Sequence, residues 1–165
     1  MERLNRGVVA VRTGTNTVYV GWRMFATDPA DISFNVYRGT VKVNATPLTG
    51  STNLTDNTTA NSTYTVRAVI GGTEQGDSEA ASVWAQQYKT INLNKPASQT
   101  MPDSTVCNYT ANDCSTGDPD GDGEYEIILK WDPHNSKDNS QDGYTGSVFL
   151  DAYKLNGNLL WRIDL

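Results

Sequence analysis

Asp118-Pro119-Asp120-Gly121-Asp122-Gly123-Glu124-Tyr125-Glu126-Ile127-Ile128-Leu129-Lys130-Trp131 is the stretch whose reading decides this chain. Its first nine residues hold five carboxylates and no base. Such a cluster repels itself unless a cation sits in it. Asp118, Asp120 and Asp122 alternate along a segment that Gly121 and Gly123 can bend sharply, and oxygen ligands at odd offsets on a tight loop suit a hard cation such as Ca²⁺. Asp118, Asp120, Asp122, Glu124 and Glu126 are therefore the candidate metal ligands. An EF-hand loop would close with a bidentate acid at position 12 and continue into a helix. Counted from Asp118, position 12 is Leu129 and the last acid is Glu126, at position 9. The β-branched and aromatic run that follows reads as a strand. The alternative is a solvated acidic turn without metal, because Asp-Gly pairs also make ordinary hairpins.

Working outward, the 165 residues carry a net charge of −6, which argues against nucleic-acid or anionic-membrane partners. Long helical periodicity is absent, and turn-rich composition points to a secreted all-β protein. There is no transmembrane run. Met1-Glu2-Arg3-Leu4 leads into a strand-like segment rather than a signal sequence, so the expected extracellular location carries no signal peptide in this chain. Cys107 and Cys114 are the only cysteines. Their spacing would close a small loop ahead of the acidic cluster, and a disulfide there stands against two free thiols.

Toward the N-terminus, alternating segments predict strands over Gly7–Thr13, Thr17–Phe25, Ile32–Arg38, Thr63–Ile70 and Ala81–Ala85. Thr49–Asn61 predicts a loop with a short edge strand at most. Residues 1–86 thus form one domain, a small antiparallel β-sandwich that resembles a fibronectin type III-like or immunoglobulin-like module. Trp22, Tyr37 and Tyr64 are assigned to its core. Thr90–Leu93 predicts a connecting strand.

Toward the C-terminus, Val148–Lys154 and Leu159–Ile163 flank Asn156-Gly157, a strong hairpin signal. A metal-loop strand followed by such a hairpin has the look of one β-propeller blade. Repeat architectures need about three or more units to close a core. Residues 87–165 therefore read as the incomplete start of a propeller, and the chain as the N-terminal part of a larger protein.

The polar run from Lys130 to Gly146, including Trp131-Asp132-Pro133-His134 and Gln141-Asp142-Gly143-Tyr144-Thr145-Gly146, closely resembles the bacterial rhamnogalacturonan lyases of polysaccharide lyase family eleven. So do Thr110-Ala111-Asn112-Asp113, the acidic loop, Asp151-Ala152-Tyr153-Lys154-Leu155, Leu4-Asn5-Arg6-Gly7 and Phe34-Asn35-Val36-Tyr37-Arg38. The resemblance implies a secreted, calcium-dependent enzyme that cuts the rhamnogalacturonan-I backbone of pectin by β-elimination, with a β-sandwich followed by an eight-bladed propeller. It implies that Asn112 and Asp132 contact the sugar, that the Asp118–Glu126 site is structural, and that the pectic polysaccharide is the partner of a monomer. The fragment alone is expected to be inactive, and the catalytic base is not assigned. His134, the one histidine, lies in a solvated loop with no partner set by the sequence. The competing reading is a non-catalytic, calcium-stabilised carbohydrate-binding or adhesion module.

Overall fold

A computed structural model describes residues 4–165, so the first three residues of the expected 1–86 domain lie outside the described residues. Every regular element among the described residues is a strand. They fall into two compact units, Leu4–Lys89 and Thr90–Leu165.

The first unit contains β1 (Val9–Gly14), β2 (Thr17–Gly21), β3 (Ser33–Arg38), β4 (Val41–Lys42), β5 (Asn53–Asn57), β6 (Thr63–Ile70), β7 (Thr73–Asp77) and β8 (Ala81–Trp84). Hydrogen bonding runs in the order β4-β3-β6-β8-β1-β2-β5, with β7 beside β6. The expected sandwich was purely antiparallel. Here β8 is antiparallel to β6 but parallel to β1, with Ala10 opposite Val83 and Val11 opposite Trp84. That single strand makes the ladder continuous between the two halves.

Period-2 alternation explains which residues meet inside. Ala10, Val18, Val20 and Trp22 from one half face Phe34, Val36, Tyr64 and Val66 from the other, all buried. Trp22 and Phe34 meet edge to face at 5.4 Å. Tyr64 is fully buried and donates its hydroxyl to Asp56 Oδ2 at 2.7 Å. Burial first, and the Asp56 carboxylate second, push its pKa up to about 12. Tyr37 departs from the core assignment. It shares strand parity with Asn35 rather than with Phe34 and Val36, so its ring turns to the other face. There its hydroxyl donates to Glu74 at 2.9 Å, and the Arg67 guanidinium lies 4.2 Å from the ring centre.

β3 pairs with β6 along its whole length, while on its other side β4 is short and backbone pairing continues only at Val43 and Leu48. Asn44 takes over: its Oδ1 accepts the Val36 N–H at 2.7 Å, and its Nδ2 donates to the Phe34 carbonyl at 3.1 Å. A buried amide thus supplies the acceptor that the Val36 N–H would otherwise lack and adds a second bond to the Phe34 carbonyl, which already accepts the Leu48 N–H. Arg6 forks onto Asp28 at 2.6 and 2.8 Å while lying 4.0 Å from the Phe25 ring centre. The Arg6 hydrogen bonds, against the opposing effect of burial, hold the Asp28 carboxyl below its usual range.

The second unit contains β9 (Gln99–Thr100), β10 (Val106–Cys107), β11 (Tyr109–Gly117), β12 (Glu126–Pro133), β13 (Phe149–Tyr153) and β14 (Leu159–Asp164). The last four form an antiparallel sheet in chain order, and β9 pairs only with β10. Cys107, Tyr109, Leu129, Trp131 and Tyr153 make its core. The expected Thr90–Leu93 strand does not form. Ile91 packs on the core, and side chains capture the backbone of Asn94 instead: its N–H donates to the Tyr153 hydroxyl at 2.9 Å, and its carbonyl accepts from Arg162. The Asn156-Gly157 hairpin is present, with Gly157 at φ 91°, where glycine avoids the penalty of a side chain.

Gly146 shows how tightly this core closes. A Cβ there would meet Cys107 Sγ at 2.6 Å and the Tyr109 hydroxyl at 3.0 Å. Gly146→Ala is therefore expected to cost about 1–3 kcal/mol by overpacking. Adding Cys107→Ala should recover part of that loss. Urea denaturation of the two single variants and the double variant measures the coupling, and simple additivity would refute the contact.

Candidate metal centre

The acidic loop joins β11 to β12, and its shape comes from its own carboxylates. Asp118 Oδ1 accepts the Gly121 N–H at 2.8 Å, and Oδ2 accepts the Gly123 N–H at 3.1 Å. Asp120 Oδ1 accepts the N–H of Asp122, and Asp122 Oδ1 that of Glu124. These local bonds curl the chain, helped by φ of 75° at Gly121 and 92° at Gly123. The curl brings Asp118, Asp120, Asp122 and Glu126 together, with one carboxylate oxygen from each within 4.8 Å of the others. Glu124 stands outside that group and is exposed.

Two features make this more than an acidic turn. Glu126 is only 1 % exposed, and its Oε2 is buried without a hydrogen-bond partner. Burial chiefly, then the neighbouring Asp120 and Asp122, push its carboxyl above the usual range. A buried carboxylate among three others is costly unless a cation compensates it. The second feature is Lys154, whose ammonium lies 2.6 Å from Asp120 Oδ2 and 2.5 Å from Asp122 Oδ2. Its hydrogen bonds to these carboxylates hold its proton more tightly than usual, and in return Lys154 lowers the Asp122 carboxyl. An all-oxygen set that includes a buried carboxylate with an unpartnered oxygen fits a hard metal ion.

Asn112 and Asp132 lie on the neighbouring ladder. Ala111 pairs with Trp131 and Cys114 with Leu129, so Asn112 and Asp113 together oppose Lys130. Both are exposed, as is all of β11 from Thr110 to Thr116. Asp132 pairs across with Thr110, and its Oδ1 sits 3.0 Å from Lys130 Nζ. Trp131 points the other way, into the core. His134 is exposed, but it has a partner after all. Its Nδ1 accepts the Asn108 N–H at 2.9 Å, and its own N–H returns to the Asn108 carbonyl.

The disulfide does not form: Cys107 is a buried free thiol and Cys114 an exposed one. The reason is distance along an extended chain. Four residues of β11 lie between Tyr109 and Cys114, a span of roughly 16 Å at a strand's rise per residue, whereas bridged Cα atoms lie within about 7 Å.

Sequence reasoning missed Asp151. It is fully buried and accepts from Trp131 Nε1 at 2.6 Å, Tyr153 Oη at 2.7 Å, and Arg162 Nε and Nη2 at 2.7 Å each. Burial opposes its ionisation, but the bonds from Arg162, Tyr153 and Trp131 outweigh it and hold its carboxyl below the usual range. The available signal was one acid inside the otherwise uncharged Phe149-Leu150-Asp151-Ala152-Tyr153 strand.

Residues 1–84 match the family of rhamnogalacturonan I lyase β-sheet domains, and residues 88–165 match the C-terminal domain of rhamnogalacturonan lyase family 11. The chain belongs to the family 11 rhamnogalacturonan lyases. Over its whole length this family 11 chain is 58% identical to the rhamnogalacturonan endolyase YesW of Bacillus subtilis and 50% identical to the exolyase YesX of the same organism. It covers 26% and 27% of those proteins, so it spans about a quarter of the curated relatives it matches. The crystal structure of YesW superposes with a TM-score of 0.91 at 59% identity, over 99% of this chain and 28% of that one. The Bacillus licheniformis rhamnogalacturonan lyase gives 0.91 at 57% identity, over 100% and 28%.

Proposed function

We propose that this chain supplies the fibronectin type III-like domain and the opening blade of a β-propeller in a secreted, calcium-dependent lyase of rhamnogalacturonan-I. The reaction is β-elimination. A base removes the C5 proton of a galacturonosyl residue, the electron pair forms the C4–C5 double bond, and the glycosidic oxygen leaves C4. The single observation that supports this reading is the sequence match, which continues from the β-sheet domain into the family 11 domain across the whole chain.

Within this chain the residues bind and position; none is assigned as the base. Asp118, Asp120, Asp122 and Glu126 would hold the calcium ion. Its chemistry there is charge neutralisation, which lets an acidic loop close against a buried strand end. Asn112 can both donate to and accept from sugar hydroxyls, and Asp132, steadied by Lys130, can accept from them. Supporting this reading, Asn112 is exposed and sits in the β11 bulge opposite Lys130.

The longer protein, supplied with calcium and rhamnogalacturonan-I, is expected to generate ultraviolet-absorbing unsaturated products. Depolymerisation without that absorbance, or no depolymerisation at all, would refute the lyase reading.

A further inference from the structure

We propose that the outer face of the β8-β1-β2-β5 half of the first unit is a second glycan site, a platform for a uronate-containing polysaccharide chain. It rests on the pectic-substrate reading for the choice of ligand.

The strand registers define the platform. Val11 pairs with Trp84 on one side and Tyr19 on the other, and Tyr19 pairs with Thr55. One row therefore crosses four strands: Trp84, Val11, Tyr19, Thr55. The intervening residues Ala10, Val18, Val20, Leu54 and Val83 face the core, so this row faces outward. Tyr19 is 40% exposed. Two strand spacings separate the aromatic residues, about 10 Å, a length of the order of a disaccharide.

The Tyr19 ring lies along the sheet instead of standing off it. A Cβ on Gly21 would meet Tyr19 Cε1 at 3.2 Å and Oη at 3.5 Å, so the bare glycine is what lets the ring lie down. A 40%-exposed ring leaning along the sheet offers apolar contact area to the C–H groups of a pyranose. Asn53, Thr55 and Asn57, all exposed on the edge strand, add amides and hydroxyls that can bond sugar hydroxyls.

The charges favour the same ligand. The chain carries a net charge of −6, yet the outward positions of these four strands hold no carboxylate. The one acid of β5, Asp56, turns inward to Arg38 and Tyr64. At the Trp84 end of the row, Lys89 Nζ lies 5.4 Å from the indole ring. An acid-free face with an ammonium at one end complements a polymer whose carboxylates recur along its length. Threonines and asparagines interrupt the apolar residues, unlike the apolar centre of a subunit interface.

The test is affinity electrophoresis of the calcium-loaded longer protein through gels containing rhamnogalacturonan-I, polygalacturonate or a neutral glucan. Trp84→Ala and Tyr19→Ala should each weaken retention by the pectic polymers about threefold to tenfold. Tyr19→Phe should retain binding, Lys89→Ala should lose it on the acidic polymers, and the neutral glucan should retain the protein least. Circular dichroism melts establish that the variants are folded. Three outcomes overturn the proposal: folded Trp84→Ala and Tyr19→Ala variants retained like the parent, a parent that is not retained, or rings already shielded from acrylamide before glycan is added. The last would mean another segment or a second copy covers the face. Product absorbance from the unsubstituted protein is read separately. Product with retention unchanged in the variants sinks the platform alone; no product with retention lost sinks the lyase reading alone.

Discussion

Chelating the calcium ion proposed for the acidic loop is expected to lower the melting midpoint of the Thr90–Leu165 unit by about 10–20 °C. At free calcium about a hundredfold above the dissociation constant, binding contributes ~2.7 kcal/mol. Each kcal/mol shifts the midpoint of a domain this size by about 4–8 °C. The prediction rests on Glu126, whose buried Oε2 has no partner among three clustered aspartates. It carries an opposite-signed companion. Glu126→Gln should raise the midpoint of the calcium-free protein, because a neutral amide replaces a crowded buried charge and its N–H groups can donate to the aspartates. The same variant should lose most of the calcium response. Scanning calorimetry with and without chelator decides it. A Gln variant destabilised equally in both conditions would mean Glu126 only packs.

Asp151→Ala should be the most damaging single substitution in the second unit, at about 3–5 kcal/mol. Removing the carboxylate leaves the Trp131 indole N–H without its acceptor, takes the counter-ion from Arg162, and leaves Arg162 and Tyr153 only their bonds to the Asn94 backbone. A unit this small has a total stability of roughly 4–11 kcal/mol, so the variant should lose the fixed environment of Trp131. Near-ultraviolet circular dichroism and denaturant titration would register the loss; a midpoint within error of the parent would refute the role. The acid response follows from the same group. Its folded pKa lies below the ordinary Asp value, so its stabilisation is complete above that value. It is lost as the pH falls from there through the folded pKa, and this step should vanish in Asp151→Asn.

Where burial follows alternation, the elements are legible in the chain. Thr63–Ile70 is a strand with the bounds expected of it, and the acidic loop runs into β12 as its β-branched residues require. β7 and β11 were not legible. Thr73-Glu74-Gln75-Gly76-Asp77 has no apolar face; it is a strand because β6 offers it an edge, and its acids hold Arg67. β11 is equally polar beyond Tyr109 and depends on β12. Both owe their form to backbone pairing with a distant neighbour, which composition does not record. The acidic cluster was legible because its carboxylates recur within one short loop. Lys154 and the Asp151 cluster were not, since their partners come from other strands. Glu124 sits in the same acidic run as the four converging ligands, but only loop geometry separates it from them.

The parallel contact between β1 and β8 has a mechanical consequence. Ala10 lies beside Val83 and Val11 beside Trp84, with both strands heading the same way. Tension applied ahead of β1 and behind β8 would drag these neighbours past one another lengthwise. The rungs between them would then bear load simultaneously instead of opening in succession like a zip, so the contact works as a shear clamp.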